Sequence, residues 1–229
     1  MWAEYVNAET VDSRIWPRAA AIAERLWSPR EVTDADSMYA RMEAVSRELE
    51  WTGVRHRATY GPMLDRLAAG RPAEPLRILA DACEAQGLGT RSRAMKYTSL
   101  TPLNRLVDAA RPESESVRAL EQAASKLDFA QLREQFARWA GNDARFEALA
   151  VDNELLGEIK PLSQDLSALG SVGLRILTYL ESHRPAPKYW LSKQEHELAR
   201  MIKPRNEVVL AAVRPVKLLL DELARRSRK

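Results

Sequence analysis

Two residues near the start of the chain, Trp2 and Glu4, have the chemistry to hold a sugar ring. A pyranose presents C–H faces and hydroxyl edges, so an aromatic plate beside a charged acceptor suits it. Side chains alternate along an extended strand, which puts Trp2, Glu4 and Val6 on one face of a strand over 1–6 and Ala3 and Tyr5 on the other. Taken alone, such a pair is far more often structural, because aromatic and charged residues share strand faces routinely. Other candidates carry less. His56, His183 and His196 have no metal-ligand spacing, and Glu195-His196-Glu197 points three ways from one helical turn, so no metal and no cofactor are expected. Cys83 stands alone, which excludes an internal disulfide framework and reads as a small packed residue. Asp221-Glu222 is the only adjacent Asp-Glu pair, on the polar face of an amphipathic helical stretch.

The elements that must position Trp2 and Glu4 read as one β/α unit. A polar connection from Asn7 to Arg14 supplies residues that satisfy their own backbone in turns. Pro17 suits a first helical position, and Ala19, Ile22, Ala23, Leu26 and Trp27 then recur at helical spacing until Ser28-Pro29 stops the run. One such unit leaves strand edges unpaired and gives its helix no sheet to cover. The stretch therefore reads as the amputated end of a larger sheet structure.

These residues also resemble a known family. Trp2-Ala-Glu4-Tyr5-Val6, with Arg14-Ile-Trp-Pro-Arg18 and Glu24-Arg-Leu-Trp-Ser28, is similar to the end of the catalytic barrel of glycoside hydrolase family 20, the β-N-acetylhexosaminidases. The resemblance covers roughly residues 1–57 and implies the eighth strand and eighth helix of a (β/α)₈ barrel. It implies that Trp2 lines an N-acetylhexosamine pocket and that Glu4 hydrogen-bonds the outer hydroxyls of the sugar. It further implies substrate-assisted catalysis by an Asp-Glu pair after a Gly-Gly turn: the Asp orients the 2-acetamido group and the Glu protonates the leaving oxygen. Asp221-Glu222 has no Gly-Gly turn, so no catalytic residue is assigned within this chain. A barrel takes about 250 residues, so the missing barrel segment is expected upstream of Met1. Trp16, Trp27, Arg18 and Glu24 are expected to pack or ion-pair on the outer helix.

Charge and composition narrow the remaining classes. The net charge is +3 with a sequence pI near 9.1, but the cations are interspersed with acids, so no nucleic-acid partner is expected. No run approaches the ~20 apolar residues of a membrane span. The compartment stays open (the parent enzyme periplasmic or secreted), because a signal peptide would lie upstream.

Thr33-Asp-Ala-Asp36 starts a helix through Met38, Met42, Val45 and Leu49 that Gly53 stops. Short helices and turns follow to Leu100. The polar stretch Thr90–Thr101 reads either as a loop facing a sugar or acidic surface or, preferably, as an ordered connection whose hydroxyls cap neighbouring helices. Helices are then expected from Thr101 to Ala110, over Glu113–Gly141 with a break near Lys126-Leu-Asp128, after Asn142, and along Leu162, Leu166, Leu169, Gly173, Ile176 and Leu180. The last two are expected over Lys188–Lys203 and Asn206–Arg226. The fold class is thus mainly α: a remnant of the last β/α unit of a (β/α)₈ barrel over 1–57, then an α-helical, bundle-like domain over 58–229. The expected function is the C-terminal part of a β-N-acetylhexosaminidase acting on an N-acetylhexosaminide, inactive as this chain alone. The alternative is a stand-alone helical interaction or structural module with no catalytic activity.

Overall fold

The hydrophobic core begins at Tyr60 and runs to Leu223, and the buried residues among 5–57 are Thr10, Ser46 and His56, all polar. The computed structural model describes residues 5–228 and is mainly helical. At the centre lies α12 (Lys160–Glu181), packed along α9 (Phe129–Ala140) and touching α10 (Asp143–Leu149) and α14 (Val213–Ser227). The sequence stripe Leu162, Leu166, Leu169, Ile176 and Leu180 is buried as its spacing predicts. Gly173 admits the close neighbour expected there: a Cβ on it would lie 2.5 Å from the Phe136 ring. At Gly170 a Cβ would meet the Phe136 carbonyl oxygen at 2.5 Å, so only glycine fits against that backbone. Between α8 (Glu115–Lys126) and α9, Leu127 takes the left-handed conformation (φ 54°) that makes the predicted break.

Around this centre, α4 (Tyr60–Leu67) and α5 (Glu74–Asp81) are the short helices the punctuation predicts. A two-residue strand follows, β1 (Glu84–Ala85), then α6 (Leu88–Ala94). The helix expected over Thr101–Ala110 shrinks to α7 (Leu106–Ala109). Its start is set by Asp108, whose carboxylate accepts the Arg105 N–H at 3.0 Å. The helix α11 (Glu154–Gly157) leads into α12, and α13 (Lys188–Met201) matches its prediction. The expected helical start at Asn206 is overturned. Asn206 and Glu207 are both left-handed (φ 47° and 65°), β2 (Val208–Val209) pairs antiparallel with β1, and α14 begins only at Val213.

The N-terminal part departs most from its periodicity. The strand expected over 1–6 lies largely outside the described residues, and Tyr5 and Val6 belong to no strand. The connection contains a helix of its own, α1 (Val11–Ile15). Pro17 precedes α2 (Arg18–Trp27) rather than opening it, after a cis Trp16–Pro17 bond. The apolar stripe of α2 meets no sheet among the described residues, and Ile22, Leu26 and Trp27 are 59%, 80% and 90% exposed. The next helix, α3 (Ala35–Trp51), starts as predicted, with Asp34 accepting the Ser37 N–H and Gly53 stopping it at φ 91°.

Candidate functional site

Trp2 and Glu4, the sugar-contacting pair implied by the resemblance, lie outside the described residues. From Tyr5 onward the chain is held against the helical part. The Tyr5 ring lies 4.6 Å from the Tyr97 ring, with the Arg91 guanidinium 4.7 Å over Tyr5 and 5.0 Å over Tyr97. An aromatic face attracts a cation most when both are out of water, and Arg91 is only 3% exposed.

Arg91 is fixed from three sides. Its Nη2 donates to Asp108 Oδ1 at 2.9 Å and to the Tyr97 hydroxyl at 2.7 Å, and its Nε donates to Glu207 Oε1 at 3.2 Å. The Tyr97 hydroxyl in turn donates to Glu207 Oε2 at 2.5 Å. Burial and this carboxylate push the Tyr97 hydroxyl up to about 12. Burial alone would pull the Arg91 pKa down, but the bonds to Tyr97 and Asp108 and the Asp108 charge outweigh it and leave it raised. The left-handed backbone at Glu207 costs on the order of 1–2 kcal/mol, an expense retained where it aims a carboxylate at a buried cation.

A second clamp follows within ten residues of Tyr5. Asn7 Oδ1 accepts the N–H groups of Glu9 and Thr10, both at 3.0 Å, folding a turn that launches α1. From α1, Arg14 donates to the carbonyls of Val107 and Asp108 at 2.8 Å and of Ala110 at 2.9 Å. Burial and the nearby Arg91 charge bring Arg14 down to about 10, still a cation at neutral pH. Arg91 thus faces two buried carboxylates, Asp108 and Glu207, and Arg14 bonds the backbone carbonyls beside them.

A cavity of about 520 Å³ opens at the seam between α1–α3 and the α8–α14 side, lined by Trp16, Arg18, Tyr39, Glu113, Arg118 and Glu121 among others. Its charges largely pair with one another: Arg214 with Glu84 at 2.7 Å and Glu121 at 3.0 Å, and Arg57 with Glu43 and Glu115. Arg118 stacks 3.8 Å over Tyr39. His56 also lines it, with Nε2 2.5 Å from the buried Ser46 hydroxyl, and burial pushes its pKa down. The seam therefore reads as a polar joint between two parts of the chain.

The remaining sequence candidates are dispersed. Glu24 ion-pairs with Arg41 of α3 at 2.5 Å, as expected for the outer helix, whereas Trp27 is exposed rather than packed. Asp221 pairs with Lys217, and Glu222 with Arg225 and Arg226, so this Asp-Glu pair is committed to surface ion pairs. His196 faces its own helix through Ser192 O, whereas His56 contacts Ser46. Among the described residues no group of three or more His, Cys, Asp or Glu converges as a metal site. Cys83 is fully buried, and burial with the adjacent Glu84 raises its thiol pKa. The partners of Arg91 are too far apart in sequence for local patterning to reveal the cluster. Its one local signal is Asp108 within Leu-Val-Asp-Ala-Ala, a carboxylate inside an apolar run that must find a partner if buried.

Residues 1–30 match the family profile of glycosyl hydrolase family 20, catalytic domain. The beta subunit of β-hexosaminidase from Mus musculus is 50% identical over 42 residues, 18% of this chain and 8% of that protein. The alpha subunit from Bos taurus is 44% identical over 55 residues, 24% of this chain and 10% of that protein. The X-ray structure of a chitobiase from Flavobacterium johnsoniae is similar over far more of the fold. Its TM-score is 0.82 at 27% identity, covering 96% of this chain and 34% of that one. The chain thus spans about a third of that chitobiase, and its matches span a tenth or less of the mammalian subunits. The short motif at residues 1–30 is thus similar to the catalytic domain of glycosyl hydrolase family 20, and nearly the whole fold is similar to that of a chitobiase.

Proposed function

We propose that this chain supplies the last β/α unit (1–57) and a helical C-terminal domain (58–229) to a β-N-acetylhexosaminidase acting on terminal N-acetylhexosamine residues by substrate-assisted catalysis. Trp2 and Glu4 then bind the sugar, while the Asp-Glu pair that orients the acetamido group and protonates the leaving oxygen comes from the missing barrel segment. The observation that carries this reading is the conjunction of two matches. The family profile ends at residue 30, and the chitobiase fold continues across 96% of the chain. The exposed stripe Ile22, Leu26 and Trp27 supports it, because an outer barrel helix needs a sheet to cover. The absence of buried apolar residues among 5–57 supports a division near residue 57.

On this reading the 229-residue chain alone hydrolyses no N-acetylhexosaminide, because it holds a sugar contact but neither the acid nor the orienting carboxylate. Purified chain incubated with nitrophenyl N-acetyl-β-glucosaminide should release no nitrophenol above the uncatalysed rate. Steady release proportional to protein concentration would overturn the assignment of catalysis to the missing segment.

A further inference from the structure

We propose that the cavity at the seam between α1–α3 and the α8–α14 side is a carbohydrate-binding site of its own, shaped for a neutral saccharide. The proposal goes beyond the reading of Trp2 and Glu4 and does not depend on it. Every residue it uses lies within the described part of the chain.

At about 520 Å³ the cavity has the size of a small-ligand site, and such sites favour junctions between parts of a fold. Both sides of the seam wall it. Trp16 comes from the link between α1 and α2, Tyr39 and Met42 from α3, and Glu113 and Arg118 from the entry to α8 and its first turns. Trp16 and Tyr39 are only half-buried, so the walls keep part of their aromatic surface accessible. The lining carries as many arginines as glutamates, and burial keeps His56 uncharged at neutral pH. The lining as a whole therefore favours neither an anion nor a cation.

Most of these charges are committed to one another, but an acceptor and a donor are not. The other glutamates of the lining each hold an arginine, whereas Glu113 is exposed and has no ion pair among the described residues. Arg118 has no ion pair there either. Its guanidinium lies 3.8 Å from the Tyr39 ring centroid, a stack that occupies its face and not its N–H edge. A saccharide matches this set. It is neutral, its C–H faces suit Trp16 and Tyr39, and its hydroxyls can donate to a carboxylate and accept from a guanidinium at once. An anionic ligand would meet the uncommitted Glu113 carboxylate, and a purely apolar one would desolvate both charged groups without replacing their hydrogen bonds.

The test uses the 229-residue chain with chitobiose as the probe, followed by amide chemical shifts in solution. Saturable shifts should appear over 13–18, 39–43 and 111–118, with a Kd on the order of 1 mM. Glu113→Gln should weaken this binding about tenfold and leave the fold intact, because that carboxylate is exposed and holds no ion pair. Trp16→Ala should weaken it as well, by removing an aromatic wall. Trp2→Ala and Glu4→Gln should leave the seam shifts and their Kd unchanged. Absence of saturable seam shifts up to ~20 mM chitobiose would overturn the proposal. So would binding that Glu113→Gln spares and Trp2→Ala abolishes, which would assign the sugar to Trp2 and Glu4 alone. Inorganic phosphate producing the same seam shifts at equal concentration would overturn the assignment to a neutral ligand.

Discussion

Replacing Glu4 by Gln in the complete enzyme should lower kcat/KM by on the order of ten- to a hundredfold while leaving measurable turnover. A carboxylate accepting from sugar hydroxyls makes charge-assisted hydrogen bonds worth roughly 1.5–3 kcal/mol, and the amide offers a weaker, partly mismatched acceptor. That energy converts directly into kcat/KM. Activity survives because, in the proposed arrangement, the proton donor and the orienting carboxylate lie elsewhere in the barrel. Trp2→Ala should weaken sugar binding in parallel, by loss of the ring face and the cavity left behind. Glu24→Gln is the control from the same β/α unit. Its carboxylate faces Arg41 on the outer helix, so turnover should stay near wild type. Steady-state kinetics and thermal midpoints of the three variants at one temperature decide the matter. Wild-type turnover in a folded Glu4→Gln enzyme would remove the reason for assigning the strand to sugar binding.

Arg91→Met should be the most damaging single change in the clamp. Arg91, Asp108 and Glu207 are 3%, 2% and 3% exposed, so removing the cation strands two carboxylates away from water. Breaking a buried ion pair from one side costs about 3–5 kcal/mol. In a domain of this size each kcal/mol moves the midpoint by about 2–4 °C, so the drop should be roughly 6–20 °C. Arg133→Met breaks a pair with Glu181 whose side chains are 47% and 38% exposed, and should cost no more than about 1 kcal/mol. Thermal melts of the two variants of this chain give the comparison. Equal midpoints would show that the cluster does not hold the fold together.

Legibility in the sequence followed the range of the physics involved. The stripe of α12 and the place of Gly173 were readable because helical periodicity and close packing are both written locally. The break at Leu127 and the Asp34 start of α3 were readable from capping chemistry. Val209 continues the apolar spacing of α14, which extends the expected helix back to Asn206. What overrides that spacing is nonlocal: β2 pairs with β1, more than a hundred residues earlier in the chain, and Glu207 turns toward Arg91. The same limit hid the site's support. Nothing in Thr90-Arg-Ser-Arg93 marks Arg91 as buried and Arg93 as exposed; the partners that decide it arrive from Tyr5, Tyr97, Asp108 and Glu207. The hydroxyls of that stretch do not cap neighbouring helices as expected: its start is itself helical (α6), Thr90 donates to Gly87 O and Thr101 accepts the Thr98 N–H. The family motif was legible for a different reason, since it is contiguous in sequence.

The most direct measurement is a crystal structure of the complete enzyme with N-acetylglucosamine bound. A Glu4 carboxylate oxygen should lie within hydrogen-bonding distance of the sugar's outer hydroxyls, and the Trp2 ring against the pocket wall. Tyr5 should still lie against the Tyr97 ring with the Arg91 guanidinium over both. A sugar seated with neither Trp2 nor Glu4 in contact would contradict the sugar-site reading.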